Sequence, residues 1–287
     1  MGLPDGCVER EMRLTAPPVE GEDVLSLQWY LSRRGMYRGP MDGKYGEATA
    51  NAVASLQRSI GLSPTGVYDA ATWRELEGSF PCSAGRTPPP TGEVSILIDV
   101  DQCRLTVLSD GVPYKSYVVA IGKPQTPSPV GEFRVTWKEA GWHGATGTRW
   151  LGLSVPWGMY GIHGTNMPWT IGSMASAGCF RMWNHDVEEI FPWVKEGTRV
   201  IVVGDLSHIE LRRPLGRGDR AQEVVVLQQS LRKAGFYEGY TDGDFGPLTE
   251  EGVMDLQLYY GLKANGVADG DVYYLLERGY PLSNGRP

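Results

Sequence analysis

The sequence predicts a multidomain protein, with a mainly-β central domain between two small three-helix bundles. Three observations predict it. The stretch 24–69 returns as 224–269, each position 200 residues later and without a gap. A Pro-rich segment, "SAGRTPPPTG" at 83–92, follows the first copy and reads as a stiff linker. Between the copies the hydrophobic pattern changes to short alternating runs typical of strands.

The repeat is dense in identities. Leu27, Gln28, Gly35, Tyr37 and Gly39 match Leu227, Gln228, Gly235, Tyr237 and Gly239. Asp42, Gly43, Gly46, Leu56, Gln57, Gly61 and Gly66 match Asp242, Gly243, Gly246, Leu256, Gln257, Gly261 and Gly266. In the first copy a helix is expected over 24–34, with Val24, Leu27 and Leu31 on one face and Gly35 in a left-handed cap. "MDGKYG" is a turn. A second helix carries Thr49, Val53, Leu56 and Ile60 and stops at Gly61. Asp69 is placed to cap a short third helix ending near Leu76. A bundle of about 55 residues has a small core. Cys7 and Cys82 bracket the first copy, either as a disulfide clasp or as two free thiols. The "DGD" at 242–244 reads as a helix-connecting turn, because the rest of a calcium-loop pattern is missing.

The central strands are expected at "SILIDV", in a hairpin over "CRLTVLSDGVPYKSYVVAIG" turning at Asp110-Gly111, and at "GEFRVTW", "TRWLGLSV", "MYGIHG" and "TRVIVV". Asn184 is expected to cap one helix, "NHDVEEIF". The expected boundaries are 1–82 for the first module, 83–92 for the linker, 93–205 for the central domain, 206–217 for a second linker and 218–287 for the second module.

With 287 residues, the chain has room for two or three domains at ~100–200 residues each. A net charge of −7 argues against nucleic acid and against a polybasic membrane anchor. No apolar run approaches the ~18 residues of a membrane span. No signal peptide is visible in "MGLPDGCVEREMRLTAPP". The 14 Tyr and 9 Trp suit carbohydrate or peptide contact as well as core packing.

One stretch concentrates chemistry. "HGTNMPWTIGSMASAGCFRM" sets His163 at the end of a strand-like run and Cys179 after an irregular loop. An imidazole near a thiol can take its proton and leave the nucleophilic thiolate. Gly178 clears space for backbone N–H groups to face a substrate oxygen. Arg181 carries a planar fork suited to a carboxylate. Spacing alone leaves open a packed cysteine beside an unrelated histidine. Tyr160 and Trp142 are cleft-lining candidates or strand core. Cys103 is placed on a strand. His143, His185 and His208 are read as solvated surface. Asp99 and Asp101 fall on one face of a strand, without the partners a glycosidase needs.

The motifs resemble known families. "LQxxLxxxGxYxGxxDGxxG" and "LQxxxGLxxxGVxD", present in both copies, resemble peptidoglycan-binding domain 1 modules. "IHGTN…SxGCxRM" resembles the catalytic motif of the YkuD family of L,D-transpeptidases. "TPSPVGEF" is similar to that family's TPxGxF element with one extra residue.

The resemblance implies a mainly β fold and a ping-pong acyl transfer on peptidoglycan stem peptides. Cys179 would be the nucleophile and His163 the general base. Gly164 and Ser176 would orient the site, the amides around Gly178 and Cys179 would form the oxyanion hole, and Arg181 would steady the donor stem. Ala177 stands where many members carry a second histidine. No metal or organic cofactor is implied. The expected partner is peptidoglycan, the expected place the cell wall or spore wall, and the expected state a monomer. Water as acceptor would make the same site an L,D-carboxypeptidase, and a dead central domain would leave a wall-binding protein. A papain-like protease would place its cysteine before its histidine.

Overall fold

The computed structural model describes residues 11–80, 87–141 and 146–278. Cys7, Cys82, Trp142 and His143 lie outside the described residues, and with them the clasp between Cys7 and Cys82.

The first module holds α1 (Glu22–Arg33), α2 (Glu47–Ser59) and α3 (Ala70–Glu77). Val24, Leu27 and Leu31 are fully buried on the inner face of α1. Burying each such side chain is worth about 1.5–3 kcal/mol. Gly35 ends α1 at φ 72, a conformation that only glycine takes at no cost. The Asp69 side chain accepts from the Thr72 N–H at 2.9 Å and caps α3. The second module repeats this with α5 (Gln222–Lys233), α6 (Pro247–Tyr259) and α7 (Gly270–Arg278), numbered after one helix of the central domain.

The repeated Leu-Gln pairs have a physical cause. Leu27 and Leu227 fill the two cores, while Gln28 and Gln228 are fully buried and hold the neighbouring turn. Gln228 Nε2 donates to Asp242 Oδ1 at 2.9 Å and to the Asp244 carbonyl at 3.1 Å, and its Oε1 accepts from the Gly243 N–H at 2.9 Å. Gln28 does the same for Asp42, Lys44 and Gly43. Gln57 and Gln257 hold the second loop of each bundle through Val67 and Val267. In a bundle this small, buried amides replace part of the missing hydrophobic core as loop anchors.

The central domain begins with β1 (Val94–Asp99), β2 (Arg104–Ser109) and β3 (Val112–Val118). The hairpin turns at Asp110 (φ 50) and Gly111 (φ 77), the left-handed pair of a two-residue turn. Next come β4 (Ile121–Gly122), β5 (Gly131–Ala140), β6 (Arg149–Leu153), β7 (Tyr160–His163), β8 (Met174–Ser176) and β9 (Phe180–Arg181). The helix α4 (Asn184–Ile190) and strand β10 (Arg199–Val203) close the domain. Among the described residues eight strands form one sheet in the order β3-β2-β1-β10-β5-β6-β7-β9, with β4 and β8 pairing separately. Two pairings in the large sheet are parallel, β1 with β10 and β7 with β9. Ile96, Ile98, Val107, Phe133, Leu151, Ile162 and Phe180 share one core with Val187 and Ile190 of α4.

Two sequence readings are corrected here. Cys103 lies in the turn before β2 at φ 50, not on a strand. Asn184 opens α4 but makes no cap bond, because its amide is committed elsewhere.

Both modules dock on the central domain. Trp169 stacks on Tyr30 with ring centroids 4.6 Å apart, and its Nε1 donates to Ser26 Oγ. Tyr68 donates its hydroxyl to the Asn166 carbonyl at 3.0 Å. On the other side Gln222 makes both hydrogen bonds of its amide with the backbone of Val130, at 3.0 and 2.9 Å. Glu132 accepts from Arg199 and from Arg232 of the second module. Burial pushes the Glu132 carboxyl up, but those two guanidinium bonds outweigh it and hold it below its usual range.

Gln228→Ala would strand the buried Gly243 N–H and take one donor from Asp242, which keeps the Asp244 N–H. Each orphaned buried group costs about 1–3 kcal/mol. The expected result is a lower urea midpoint for the transition of the second module, with the central domain's own transition unchanged.

Candidate active site

His163 ends β7, and Arg181 ends β9. The parallel register sets Ile162 beside Phe180 and His163 beside Arg181. Cys179 directly precedes β9, so the pairing brings the nucleophile candidate and the imidazole to one edge of the sheet. Both are buried, His163 fully and Cys179 to 4% exposure.

The imidazole is held from two sides. Trp150, opposite His163 on β6, stacks on it with ring centroids 5.3 Å apart. His163 Nδ1 lies 2.6 Å from the Gly164 carbonyl. A carbonyl can only accept, so Nδ1 carries the proton and donates. Nε2 is then the nitrogen with a lone pair, and it is buried with no hydrogen-bond partner among the described residues. Burial lowers the imidazole pKa, and the neighbouring Arg181 cation lowers it further, to about 3. The backbone of Gly164 and Thr146 pulls the other way but does not prevail. The resting base is neutral.

The turn before β9 is held by Ser176. Its hydroxyl donates to the Cys179 carbonyl at 2.6 Å and accepts from the Gly178 N–H at 3.0 Å. The Gly178 amide is therefore engaged within the turn. Gly178 sits at φ 112, and a Cβ there would stand 2.6 Å from the Tyr160 ring. Only glycine allows both the backbone angle and that close approach. Tyr160 thus lies against the nucleophile turn. Burial raises its hydroxyl pKa, and the nearby Cys179 thiol adds to the rise. Arg181 is buried and donates to the Ala175 carbonyl at 3.3 Å. A cleft of about 660 Å³ opens beside this turn, reaching Tyr160 and Ala177. Lys123, Thr126, Leu206 and Gln222 are among the residues that line it.

The loop leaving His163 rests on Asn184. Its Oδ1 accepts from the N–H groups of Thr148 and Thr165, both at 3.1 Å. Its Nδ2 donates at 2.8 Å to the Thr165 carbonyl and to Glu77 Oε2 on α3 of the first module. Gly164 permits this, since a Cβ there would fall 2.0 Å from Asn184 Oδ1. His185 is corrected too. It stacks on Trp183 and its Nδ1 lies 3.2 Å from Glu77 Oε1, so it is an interface residue rather than solvated surface. Asp99 ends β1 and accepts from the Gln102 N–H of the following turn, while Asp101 lies in that turn rather than on the strand and accepts from the distant Asp205 N–H. Sequence reasoning missed Trp150, Asn184 and Glu77 as parts of the site. The one sequence signal was Asn184 at the start of a helix, read there as its cap.

Comparison with known proteins follows this geometry. The model for the L,D-transpeptidase catalytic domain matches residues 93–202. The "Putative peptidoglycan binding domain" matches 20–76 and 220–276. "Putative L,D-transpeptidase YkuD" of Bacillus subtilis is 39% identical over 118 residues, which cover 41% of this chain and 71% of that protein. The chain belongs to the YkuD family of L,D-transpeptidases. "Putative L,D-transpeptidase YqjB" of Bacillus subtilis is 32% identical over 141 residues, covering 44% of this chain and 80% of that one. The solved L,D-transpeptidase (residues 123–326) of Xylanimonas cellulosilytica is 25% identical, covers 71% of this chain and 100% of that chain, and has a TM-score of 0.35. In this L,D-transpeptidase the catalytic domain lies between two peptidoglycan-binding modules, and among the described residues no helix is long and apolar enough to cross a membrane.

The His163 environment makes a pH prediction. The free imidazole binds its proton near 6.5, and the native one only near 3. The unfolded state therefore binds more protons in between, and this group's contribution to stability falls as pH drops from 6.5 toward 3. Nitrogen NMR is expected to find the Nδ1–H tautomer of His163 unchanged from pH 8 to pH 5. Arg181→Met removes the adjacent cation and is expected to move the titration upward.

Proposed function

We propose that this L,D-transpeptidase cleaves the bond between the third residue, a diamino acid, and D-Ala at position four of a tetrapeptide stem, then transfers the acyl group to another stem. Cys179 gives its proton to His163 Nε2 and its sulfur attacks the carbonyl carbon. The carbonyl electrons move to oxygen, which the Cys179 amide faces while Ser176 fixes the turn. The intermediate collapses, the C–N bond breaks, and the leaving D-Ala amine takes the proton from His163. A thioester remains. The side-chain amine of an acceptor diamino acid then loses a proton to His163 and attacks the thioester, the C–S bond breaks, and the Cys179 sulfur takes that proton back from His163, leaving a 3→3 cross-link. Gly164 orients the base through its carbonyl, Arg181 holds the donor carboxylate region, and Tyr160 packs beside the nucleophile. Trp142 lies outside the described residues.

The observation that carries this reading is the pairing of β7 with β9. It sets a neutral histidine, with one nitrogen fixed and the other unpartnered, beside the strand that Cys179 precedes. The modules support a partner in peptidoglycan and a place of action at the cell wall, outside the cytoplasm.

The test is mass spectrometry of disaccharide-tetrapeptide incubated with the wild type and with Cys179→Ala. The wild type is expected to release D-Ala and form a cross-linked dimer, and the variant neither. Tripeptide without dimer would make water the acceptor and the protein an L,D-carboxypeptidase. Turnover undiminished by Cys179→Ala would sink the mechanism.

A further inference from the structure

We propose that Glu77 of the first peptidoglycan-binding module is a positioning residue for the catalytic base, so that this module completes the active site rather than only tethering it. The proposal rests on the reading of His163 as base.

One line of hydrogen bonds connects His163 to Glu77. His163 Nδ1 donates to the Gly164 carbonyl at 2.6 Å. The N–H of the same peptide unit, that of Thr165, donates to Asn184 Oδ1 at 3.1 Å. Asn184 Nδ2 donates to Glu77 Oε2 at 2.8 Å. Every donor points the same way, from the imidazole toward a carboxylate. A peptide that donates at N–H accepts more strongly at C=O, so bonds in such a line reinforce one another. The line ends on an anion, and hydrogen bonds to ionised groups are the stronger kind.

Burial makes the arrangement demanding. His163, Thr165, Asn184 and Glu77 are all buried, Glu77 being 8% exposed. If Glu77 withdraws, Asn184 Nδ2 keeps only the Thr165 carbonyl. The amide can then turn, and the Gly164–Thr165 peptide loses the contact that sets its plane. That plane aims the carbonyl holding the imidazole. Glu77 is in turn fixed by His185, whose backbone N–H and Nδ1 both lie 3.2 Å from Oε1. Tyr68 and Tyr30 of the same module hold Asn166 and Trp169 further along the loop. The module therefore braces the start of the connection that runs from His163 to Cys179.

The test uses the full chain and two readouts. The first is the pH profile of Cys179 alkylation by iodoacetamide, read on the Cys179 peptide by mass. The second is the split between kcat and KM for D-Ala release from soluble disaccharide-tetrapeptide. Glu77→Ala is expected to slow alkylation near neutral pH and to lower kcat by about tenfold or more with KM little changed, as misplaced reacting groups do. Glu77→Gln keeps an acceptor for Asn184 but loses the charge and turns an N–H toward the His185 N–H, so it is expected to restore both in part. Glu77→Asp keeps the charge but falls one methylene short, and is expected to behave like the alanine variant. Should Glu77→Ala not fold, the Gln and Asp pair carries the test. Glu22→Ala, which removes the exposed Glu22–Lys123 ion pair between the same two domains, is expected to leave the alkylation profile unmoved.

An alkylation profile unchanged in Glu77→Ala or Glu77→Asp overturns the proposal. So does Glu77→Gln as slow as Glu77→Ala. Alkylation needs no substrate. Absent turnover with a normal wild-type profile would strike the functional reading alone, and a wild-type thiol inert to iodoacetamide would strike both.

Discussion

The parallel pairing of β7 with β9 is the constraint from which the rest of the site follows. A parallel neighbour cannot be reached by a tight turn, so the chain between His163 and Cys179 must travel out and back. It does so as a mostly buried loop, with Thr165, Asn166 and Thr170 each under a tenth exposed. Buried loop backbone needs partners that a strand ladder would otherwise provide. Asn184, Tyr68 and the Thr165 and Thr170 hydroxyls supply them. The polar residues of "HGTNMPWT" are thus explained by the route the loop takes.

The two binding modules share a sequence pattern but meet the catalytic domain in different ways. The first covers the loop after His163 with aromatic rings and a carboxylate. The second grips the entrance of β5 through Gln222, Thr241 and Arg232, and its Gln222 lines the cleft that also reaches Tyr160. Residues that repeat between the copies are those that build each bundle. Most of those that dock do not repeat: Tyr30, Tyr68 and Gln222 correspond in position to Ser230, Ala268 and Glu22, and where one does repeat, as Glu77 does at Glu277, it is Glu77 that bonds Asn184. Duplication supplied the scaffold, and the docking chemistry differs at matching positions.

Much of this was legible in the sequence, for reasons that are local. Helix faces, the Asp69 cap, the Asp110-Gly111 turn and the alternation of β1 and β2 depend on neighbours a few residues away. The proximity of His163 and Cys179 was legible through a family motif rather than through spacing. Asn184 was misread because an Asn before "HDVEEIF" satisfies the local rule for a cap, while the loop at Thr148 and Thr165 competes for the same amide and wins. His185 looked like surface because its partners, Glu77 and Trp183, come from another domain and from a ring two residues away. Contacts across domains leave no periodic trace.

The electrostatics of His163 tie the proposed chemistry to the geometry. Burial and Arg181 both oppose an imidazolium, so a resting thiolate–imidazolium pair is disfavoured until something offsets the positive charge. The charge that offsets it is the one created when sulfur loses its proton and attack passes it to the substrate oxygen. In the proposed mechanism proton transfer and attack proceed together, and an electrophile in place, whether the stem carbonyl or an alkylating reagent, is a condition for forming the nucleophile. At rest His163, the proposed base, is neutral, and Cys179 is 4% exposed. The orientation of that base matters more than its basicity, because a proton moves only along a well-aimed Nε2 lone pair. The Gly164 carbonyl, with Asn184 behind it, is what aims it.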